Sequence, residues 1–354
     1  MLQKKLKLGF IGAGFMGQLA HIANYAHIPG CELLALAELR PELGRRVALH
    51  YGIPRVYDSH ARMLAEAGLD AVVAVTPRSM VFDTAADCLR AGKHLLTEKP
   101  MALSHDEAST LAGIAREGGL IYAVGFMRRY DEGIQKAKAL LDALVASKEM
   151  GRVLYVRAHC FGGYNYCNID GAISTDEAIP GYVPDREVVL DWIPAPRRED
   201  YARFVNVFSH NINLLRFLFG DGFAIDHVNL SRRHAGLVVL DRGEFLCVLE
   251  AGHYENHGWS ETLDVYFERG HVKIYPPPAL LRNVAARVEV YHGWGKNQTV
   301  WHEPAWSWSF KRQAEAFVDA ALRRAPMLSA GEDCVEDMRI IEAIWRRELE
   351  GHAL

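Results

Sequence analysis

Through its first third the chain alternates short apolar runs with stretches of helical periodicity. Leu6–Ile11 reads as a strand, Gly17–Ala26 as a helix, Glu32–Ala37 as a strand and Arg40–Tyr51 as a helix. Ala71–Thr76 is an apolar run with no alternation, the pattern of a parallel strand buried on both faces. Helix Val81–Ala91, strand His94–Thr97, helix Ser104–Gly118 and strand Ile121–Gly125 continue the series. Strand–helix alternation of this kind predicts a doubly wound parallel α/β sheet with helices on both sides.

From about Arg152 the pattern changes. Runs of strand composition dominate: Val153–His159, His227–His234, Leu237–Leu240, Phe245–Tyr254, Glu261–Glu268, Val272–Tyr275 and Arg287–Tyr291. Turns such as Asp241-Arg242-Gly243 separate some of them, as in antiparallel hairpins. One helix, Tyr201–Phe219, interrupts the series, and helices Phe310–Arg324 and Asp333–Glu350 close the chain. The expected architecture is a Rossmann-type domain over 1–125 followed by an α+β domain over 126–354 with a large, mostly antiparallel sheet, the closing helices free to pack back on the first domain. Phe161–Asp200 fits neither pattern. It is a stretch of about 40 residues rich in Gly, Pro, Asn, Asp and Tyr, and a loop that long is usually functional or disordered. Its aromatic and guanidinium groups, among them Tyr164, Tyr166, Tyr182, Trp192, Arg186, Arg197 and Arg198, suggest a substrate-site lid or an oligomer arm.

Composition narrows the function classes. The chain has 354 residues, half of them apolar and about a quarter charged, enough for two globular domains and against disorder. A formal charge of −4 offers no basic excess for nucleic acid. Six cysteines without a CxxC pair point to a reducing compartment rather than a disulfide scaffold. The lysines before LGFIGAGFMG imitate a signal peptide, but glycines interrupt the apolar stretch and no cleavage site follows. With no run long enough to span a membrane, the expectation is a soluble cytoplasmic protein.

Gly12-Ala13-Gly14-Phe15-Met16-Gly17 matches GxGxxG between a predicted strand and a predicted helix. Gly12 permits the tight turn, Gly14 lets the backbone approach a pyrophosphate, and Gly17 allows close helix–strand packing. Glu38 ends the next strand, placed to chelate the adenosine ribose hydroxyls and repel a 2′-phosphate, which favours NAD. Arg40, two residues on, keeps NADP open. Glu98-Lys99-Pro100 ends a strand whose C-terminal edge faces the cofactor crevice, where a lysine polarises a substrate oxygen. Alone, it reads better as a surface lysine beside a proline. Asn206, His210 and Asn213 have the spacing of one helical face, lining a cavity or forming a satisfied structural group.

Together, the GxGxxG loop with Glu38, AGKHLLTEKPMALS, VGFMRRYD and the helix ending HNINLLRFLFG resemble the Gfo/Idh/MocA family of nicotinamide-dependent oxidoreductases acting mainly on sugars and polyols. The resemblance covers the whole chain. It implies Lys99 as catalytic lysine and His210 as the acid/base for the hydroxyl proton, with Asn206 beside it. It also implies Thr76 and Pro77 under the cofactor, Glu98 near the nicotinamide ribose, and Phe15 and Met16 within the cofactor loop. Arg128, Asn213 and Tyr164 are the expected substrate contacts. Asn206 and Asn213 replace the family's aspartates, and an asparagine cannot relay a proton. Arg78 and Val81 stand where the family has Asn and His after Thr-Pro.

No metal site is expected. His253/His257 sits in a Gly/Asn turn context, and His159/Cys160/Cys167 lacks a fixed partner set. The expected function is hydride transfer between nicotinamide and a secondary alcohol or ketone of a sugar, polyol or sugar derivative. The alternatives are a non-catalytic nicotinamide-binding regulator and an oxidoreductase of a non-carbohydrate substrate. The C-terminal sheet, with apolar residues on both faces and Trp301, Trp306 and Trp308 near its edge, predicts a homodimer or homotetramer.

Overall fold

The first six strands are β1 (Leu6–Ile11), β2 (Cys31–Ala37), β3 (Arg55–Tyr57), β4 (Ala71–Ala74), β5 (His94–Thr97) and β6 (Tyr122–Val124). They pair in parallel throughout, in the order β3-β2-β1-β4-β5-β6. The order reverses between β1 and β4, and ligands of such sheets bind at the crevice outside the strand ends there. Helices cover both faces, so Leu8, Phe10, Val72, Val73, Leu95 and Leu96 have no exposed surface. This computed structural model describes residues 5–164, 171–232 and 234–351, the side chains of Tyr164, Asn256 and His257 excepted.

Two elements here have too little periodicity to be read from sequence: the edge strand β3 and the short helix His60–Glu66. The Ala71–Thr76 run is shorter as a strand than expected. β4 ends at Ala74, and after Val75 donates to the Ile11 carbonyl (2.8 Å) the chain turns through Pro77 into a 3-10 turn, Arg78–Met80. The helix after the glycine loop is π-helical over Gly17–Ile22 and α-helical over Ala23–Tyr25.

The second sheet contains β7 (Val153–Tyr164), β8 (Ala224–Asn229), β9 (Ala235–Asp241), β10 (Leu246–His257), β11 (Trp259–Phe267), β12 (Gly270–Tyr275), β13 (Arg287–His292) and β14 (Gln298–His302). Its order is β14-β13-β12-β11-β7-β10-β9-β8, antiparallel except for the β7–β10 pair. Strand alternation divides its residues. In β11, Leu263, Val265 and Phe267 are buried, while Thr262 and Tyr266 are half-exposed. The expectation of apolar residues on both faces is corrected by the open face, which carries ion pairs among its aromatic rings. Arg157 and His159 both bond Glu250 (2.7 Å each), and His271 bonds Glu289 (3.1 Å). Trp308 is buried, its Nε1 donating to the Ala279 carbonyl (3.1 Å), whereas Trp306 is almost fully exposed.

The chain divides into two compact units. Among the described residues, one comprises 5–126, 171–202 and 310–338, and the other 127–164, 203–309 and 339–351. The first contains the parallel sheet, to whose β6 the segment after helix Ser309–Arg323 is tied. Val124 donates to Ser329 O (2.9 Å), and Gln313 Nε2 donates to the Val124 carbonyl (3.1 Å). The second contains the large sheet and helix Glu132–Ser147, which was not anticipated although Ile134, Ala137, Leu141 and Leu144 recur at helical spacing; its N-cap carboxylate, Asp131, accepts from Gly133 N (2.8 Å) and Ile134 N (3.1 Å). No described helix is long and apolar enough to cross a membrane.

Candidate active site

The GxGxxG loop leaves β1 with Gly12 at φ +87°. A Cβ at Gly12 would lie 2.1 Å from the Val75 carbonyl oxygen, and one at Gly17 would lie 2.5 Å from the Gly12 oxygen. Those two glycines are required by packing. A Cβ at Gly14 would meet nothing nearer than the Arg40 Nη2 at 3.8 Å, so its backbone is left approachable. The loop opens on a crevice of about 610 Å³, within the range of ligand sites, lined among others by Phe15, Met16, Glu38, Thr76, Pro77 and Ser79. Backbone N–H groups at a helix start, an approachable glycine and an acid at the far end fit a dinucleotide.

Glu38 is buried and already engaged. Its Oε2 accepts from Ala13 N (2.7 Å) and Arg40 Nη2 (3.1 Å), and its Oε1 from Arg40 Nε (2.8 Å). The two residues that sequence reasoning set against each other as cofactor determinants are thus one ion pair.

At the other end of the crevice unit, β5 delivers Glu98 and Lys99. Glu98 Oε1 bonds His21 Nε2 (2.7 Å) and Oε2 accepts from Lys99 N (3.1 Å); the Lys99–Pro100 peptide is cis. Burial draws the Lys99 ammonium below the usual lysine range, Glu98 opposing and Arg78 adding to the shift. A lysine so placed gives up a proton more readily than an exposed one.

Part of the long unpatterned stretch belongs to the same unit and runs along this crevice. Its first residues continue β7 to Tyr164; 165–170, with Tyr166 and Cys167, lie outside the described residues, as does the Tyr164 side chain. From 171 onward the chain is held by specific bonds. Gln18 Oε1 accepts from Ile173 N (2.8 Å), and Gln18 Nε2 donates to Ile173 O (3.0 Å). The Glu177 carboxylate accepts from Glu42 N (3.0 Å) and Leu43 N (2.9 Å). Helix Pro41–Tyr51 has no side-chain cap of its own, so Glu177 satisfies its orphan N–H groups from a distant segment. These backbone donors hold the Glu177 carboxyl below the usual range. Ile179 lines the crevice. Neither Gln18 nor Glu177 was readable as functional. Gln18 is one residue past the fingerprint, and nothing near Glu177 marks it.

The predicted helix Tyr201–Phe219 is two helices, Arg198–Val207 and Ser209–Phe219, parted at Phe208. The shared face of Asn206, His210 and Asn213 is corrected accordingly. Asn206 is exposed on the first helix, His210 half-buried on the second, and Asn213 only 1% exposed. Asn213 Oδ1 accepts from Arg129 Nε (2.8 Å). Arg128 forms a buried ion pair with Glu261, whose Oε1 also accepts from Asn211 Nδ2 (3.1 Å) and whose Oε2 accepts from Trp259 Nε1 (2.8 Å). Burial lifts the Glu261 carboxyl above its ordinary range, with Arg128 opposing. The histidines weighed and set aside as metal ligands have other settings here. His253 lies in β10 rather than a turn, and His159 is bonded to Glu250. No group of three or more His, Cys, Asp or Glu placed to hold a metal occurs among the described residues.

The model of the Gfo/Idh/MocA oxidoreductase family, NAD-binding Rossmann fold, matches residues 6–126. The scyllo-inositol 2-dehydrogenase (NAD(+)) of Bacillus subtilis (strain 168) is 30% identical over 157 residues, 44% of each chain, so the match spans less than half of that relative. The inositol 2-dehydrogenase of Burkholderia cenocepacia (strain HI2424) is 26% identical over 336 residues, 90% of this chain and 87% of that one. Among solved structures, GenD2 from gentamicin A biosynthesis, in complex with NAD, has a TM-score of 0.74 at 21% identity, covering 99% of this chain and 96% of that chain. At that identity the likeness is one of fold. The glycine loop of the crevice and Glu38 at its end lie within residues 6–126, the part of the chain that matches the family's NAD-binding Rossmann fold.

Proposed function

We propose that the protein is a nicotinamide-dependent dehydrogenase or reductase that interconverts a secondary alcohol and a ketone on a sugar, polyol or sugar derivative. One observation carries the reading: a half-buried Lys99, its proton affinity lowered by desolvation, follows β5 in the same unit whose glycine loop forms the dinucleotide crevice. Bound nicotinamide supplies the hydride acceptor or donor. Gly12, Gly14, Phe15, Met16 and Gly17 hold the pyrophosphate end, Glu38 the adenosine ribose, and Thr76 and Pro77 the floor. Glu98 receives the nicotinamide ribose. Lys99 donates a hydrogen bond to the substrate oxygen and steadies the charge that develops there. His210 takes the hydroxyl proton in oxidation and returns it in reduction. Asn206, on the preceding helix, is assigned to orient the imidazole. Arg128, Asn213 and Tyr164 are assigned to the substrate, Arg128 and Asn213 as positioning residues that act through Glu261 and Arg129 rather than by contact.

A panel of polyols and sugars, run in both directions with NAD(H) and NADP(H) and followed by nicotinamide absorbance, tests the reading. Turnover of one or more members that is lost in Lys99→Ala supports it. A protein that binds NADH but turns over no member is a cofactor-binding regulator instead. The two inositol dehydrogenases make inositols the first members to try.

The open face of the second sheet, with its Tyr155, Tyr266 and Trp301 rings and its ion pairs, supports assembly as a homodimer or homotetramer, face to face. A monomeric mass by light scattering at micromolar concentration would sink that assignment. The buried thiols of Cys31, Cys88, Cys160, Cys247 and Cys334 support a reducing, cytoplasmic location.

A further inference from the structure

Arg78 has no role in the reading above, yet its placement is unusual. It follows Pro77 in the 3-10 turn after β4 and precedes Ser79, and both neighbours line the crevice. The residue is only 6% exposed. One nitrogen, Nη2, donates to the Ala202 carbonyl (3.1 Å) and lies 3.7 Å from Asp185 Oδ2. Nε and Nη1, both buried, donate to nothing among the described residues. The Ser79 hydroxyl beside them is likewise buried without a partner. An arginine taken out of water with two of three nitrogens unused is costly unless something else completes it.

The surroundings say what would complete it. Burial lowers the guanidinium's proton affinity, with Asp185 opposing, and Arg78 in turn lowers that of Lys99. Two cations, Arg78 and Lys99, thus share this end of the crevice unit with two acids, Glu98 and Asp185. Asp185 is a weak counter-ion, for its carboxylate is half-exposed and beyond hydrogen-bond distance. Glu98 is already engaged by His21 (2.7 Å) and Lys99 N (3.1 Å), so Arg78 faces only the weak counter-ion Asp185, which leaves room for one carboxylate and too little positive charge for a phosphate dianion. Guanidinium matches carboxylate in geometry as well as charge.

Resting on the proposed dehydrogenase reading, we propose that Arg78 recognises a carboxylate on the substrate, making sugar acids and other hydroxy acids, rather than neutral sugars, the preferred class. Arg78 is then a specificity-determining residue directly after the cofactor floor.

The test uses the full chain loaded with NADH and follows quenching of the bound cofactor's fluorescence by D-glucuronate, D-gluconate, tartrate, D-glucose and glucose 6-phosphate. One or more of the carboxylates should bind at least about ten-fold more tightly than glucose, as expected for a hydrogen bond to a charged group. Arg78→Met should shrink that gap to about two-fold, and Arg78→Lys should restore part of it, which a merely structural arginine would not show. Carboxylates that bind no better than glucose, tighter binding of glucose 6-phosphate, or a gap that survives Arg78→Met each overturn the inference. So does a loss of NADH affinity in Arg78→Met with the gap intact, which would make Arg78 a cofactor contact. Turnover on the same panel separates the two claims. Arg78-dependent carboxylate binding without oxidation removes the dehydrogenase reading and leaves this one. Turnover of neutral sugars without a gap does the reverse.

Discussion

The dinucleotide crevice and the buried polar cluster of the second unit satisfy their polar groups in opposite ways. In the crevice the glycine loop keeps backbone donors approachable, and the chain spends its side chains around them: Glu38 on Arg40, Glu98 on His21, Glu177 on the start of a helix. In the cluster the side chains satisfy one another, Arg128 with Glu261, Asn211 and Trp259 on the same carboxylate, Asn213 with Arg129. The first arrangement is built to receive a ligand from outside. The second is built to hold its own geometry. Substitutions should therefore act on binding in the one region and on folding in the other.

The largest departure from that rule is expected at His210, which belongs to the second unit but is proposed to act on substrate. His210→Ala should lower kcat by about 10²–10⁴, the usual worth of a general acid–base, with the NADH dissociation constant unchanged. A kcat within a few-fold of the wild type would assign the proton to another group. Next comes the cluster itself. Arg128→Ala leaves the Glu261 carboxylate buried and unpaired, and should cost about 3–5 kcal/mol in denaturant unfolding. The double variant Arg128→Met/Glu261→Leu should recover most of it. If the single variant costs under 1 kcal/mol, the cluster is not structural and the contrast between the regions fails.

The crevice effects are smaller and should appear in binding. NAD(H) is expected to bind at least several-fold more tightly than NADP(H), and Glu38→Ala should narrow the difference while releasing Arg40. Tighter NADP(H) binding by the wild type, in a fluorescence titration, would show that Arg40 leaves its partner to take the 2′-phosphate. The smallest effect concerns Glu177. Glu177→Ala should speed hydrogen exchange at the Glu42 and Leu43 amides and raise the NADH release rate a few-fold. Because its carboxyl is held below the ordinary range, the contact is complete at neutral pH and is lost only as pH falls through that lowered value. Exchange at those two amides should rise on acidification in the wild type and stay flat in Glu177→Ala.

Legibility followed the range of the interactions. β1 and β5 have the bounds expected from their apolar runs, and the glycine loop with Glu38 lies where its spacing implies. These depend on neighbours a few residues away and on backbone geometry that only glycine tolerates. The π-helical turn after the loop and the three-residue β3 were not visible, since each is decided by what it packs against rather than by its own period, whereas helix Glu132–Ser147 was legible in its apolar spacing and its Asp131 cap but went unread. The helix carrying His210 was read as continuous because its apolar spacing runs on through Phe208.

The amino-acid sequence by itself determined the parallel sheet, the dinucleotide loop and the positions of Lys99 and His210 along the chain. Periodicity, glycine stereochemistry and strand-end position are properties of short segments. Only the tertiary structure decided which charges neutralise one another. It joined Glu38 to Arg40, closed Arg128 on Glu261, brought Glu177 to the start of a distant helix, and left Arg78 buried with donors unspent. A charge's role is set by its burial and its partner, and both come from residues far away in sequence.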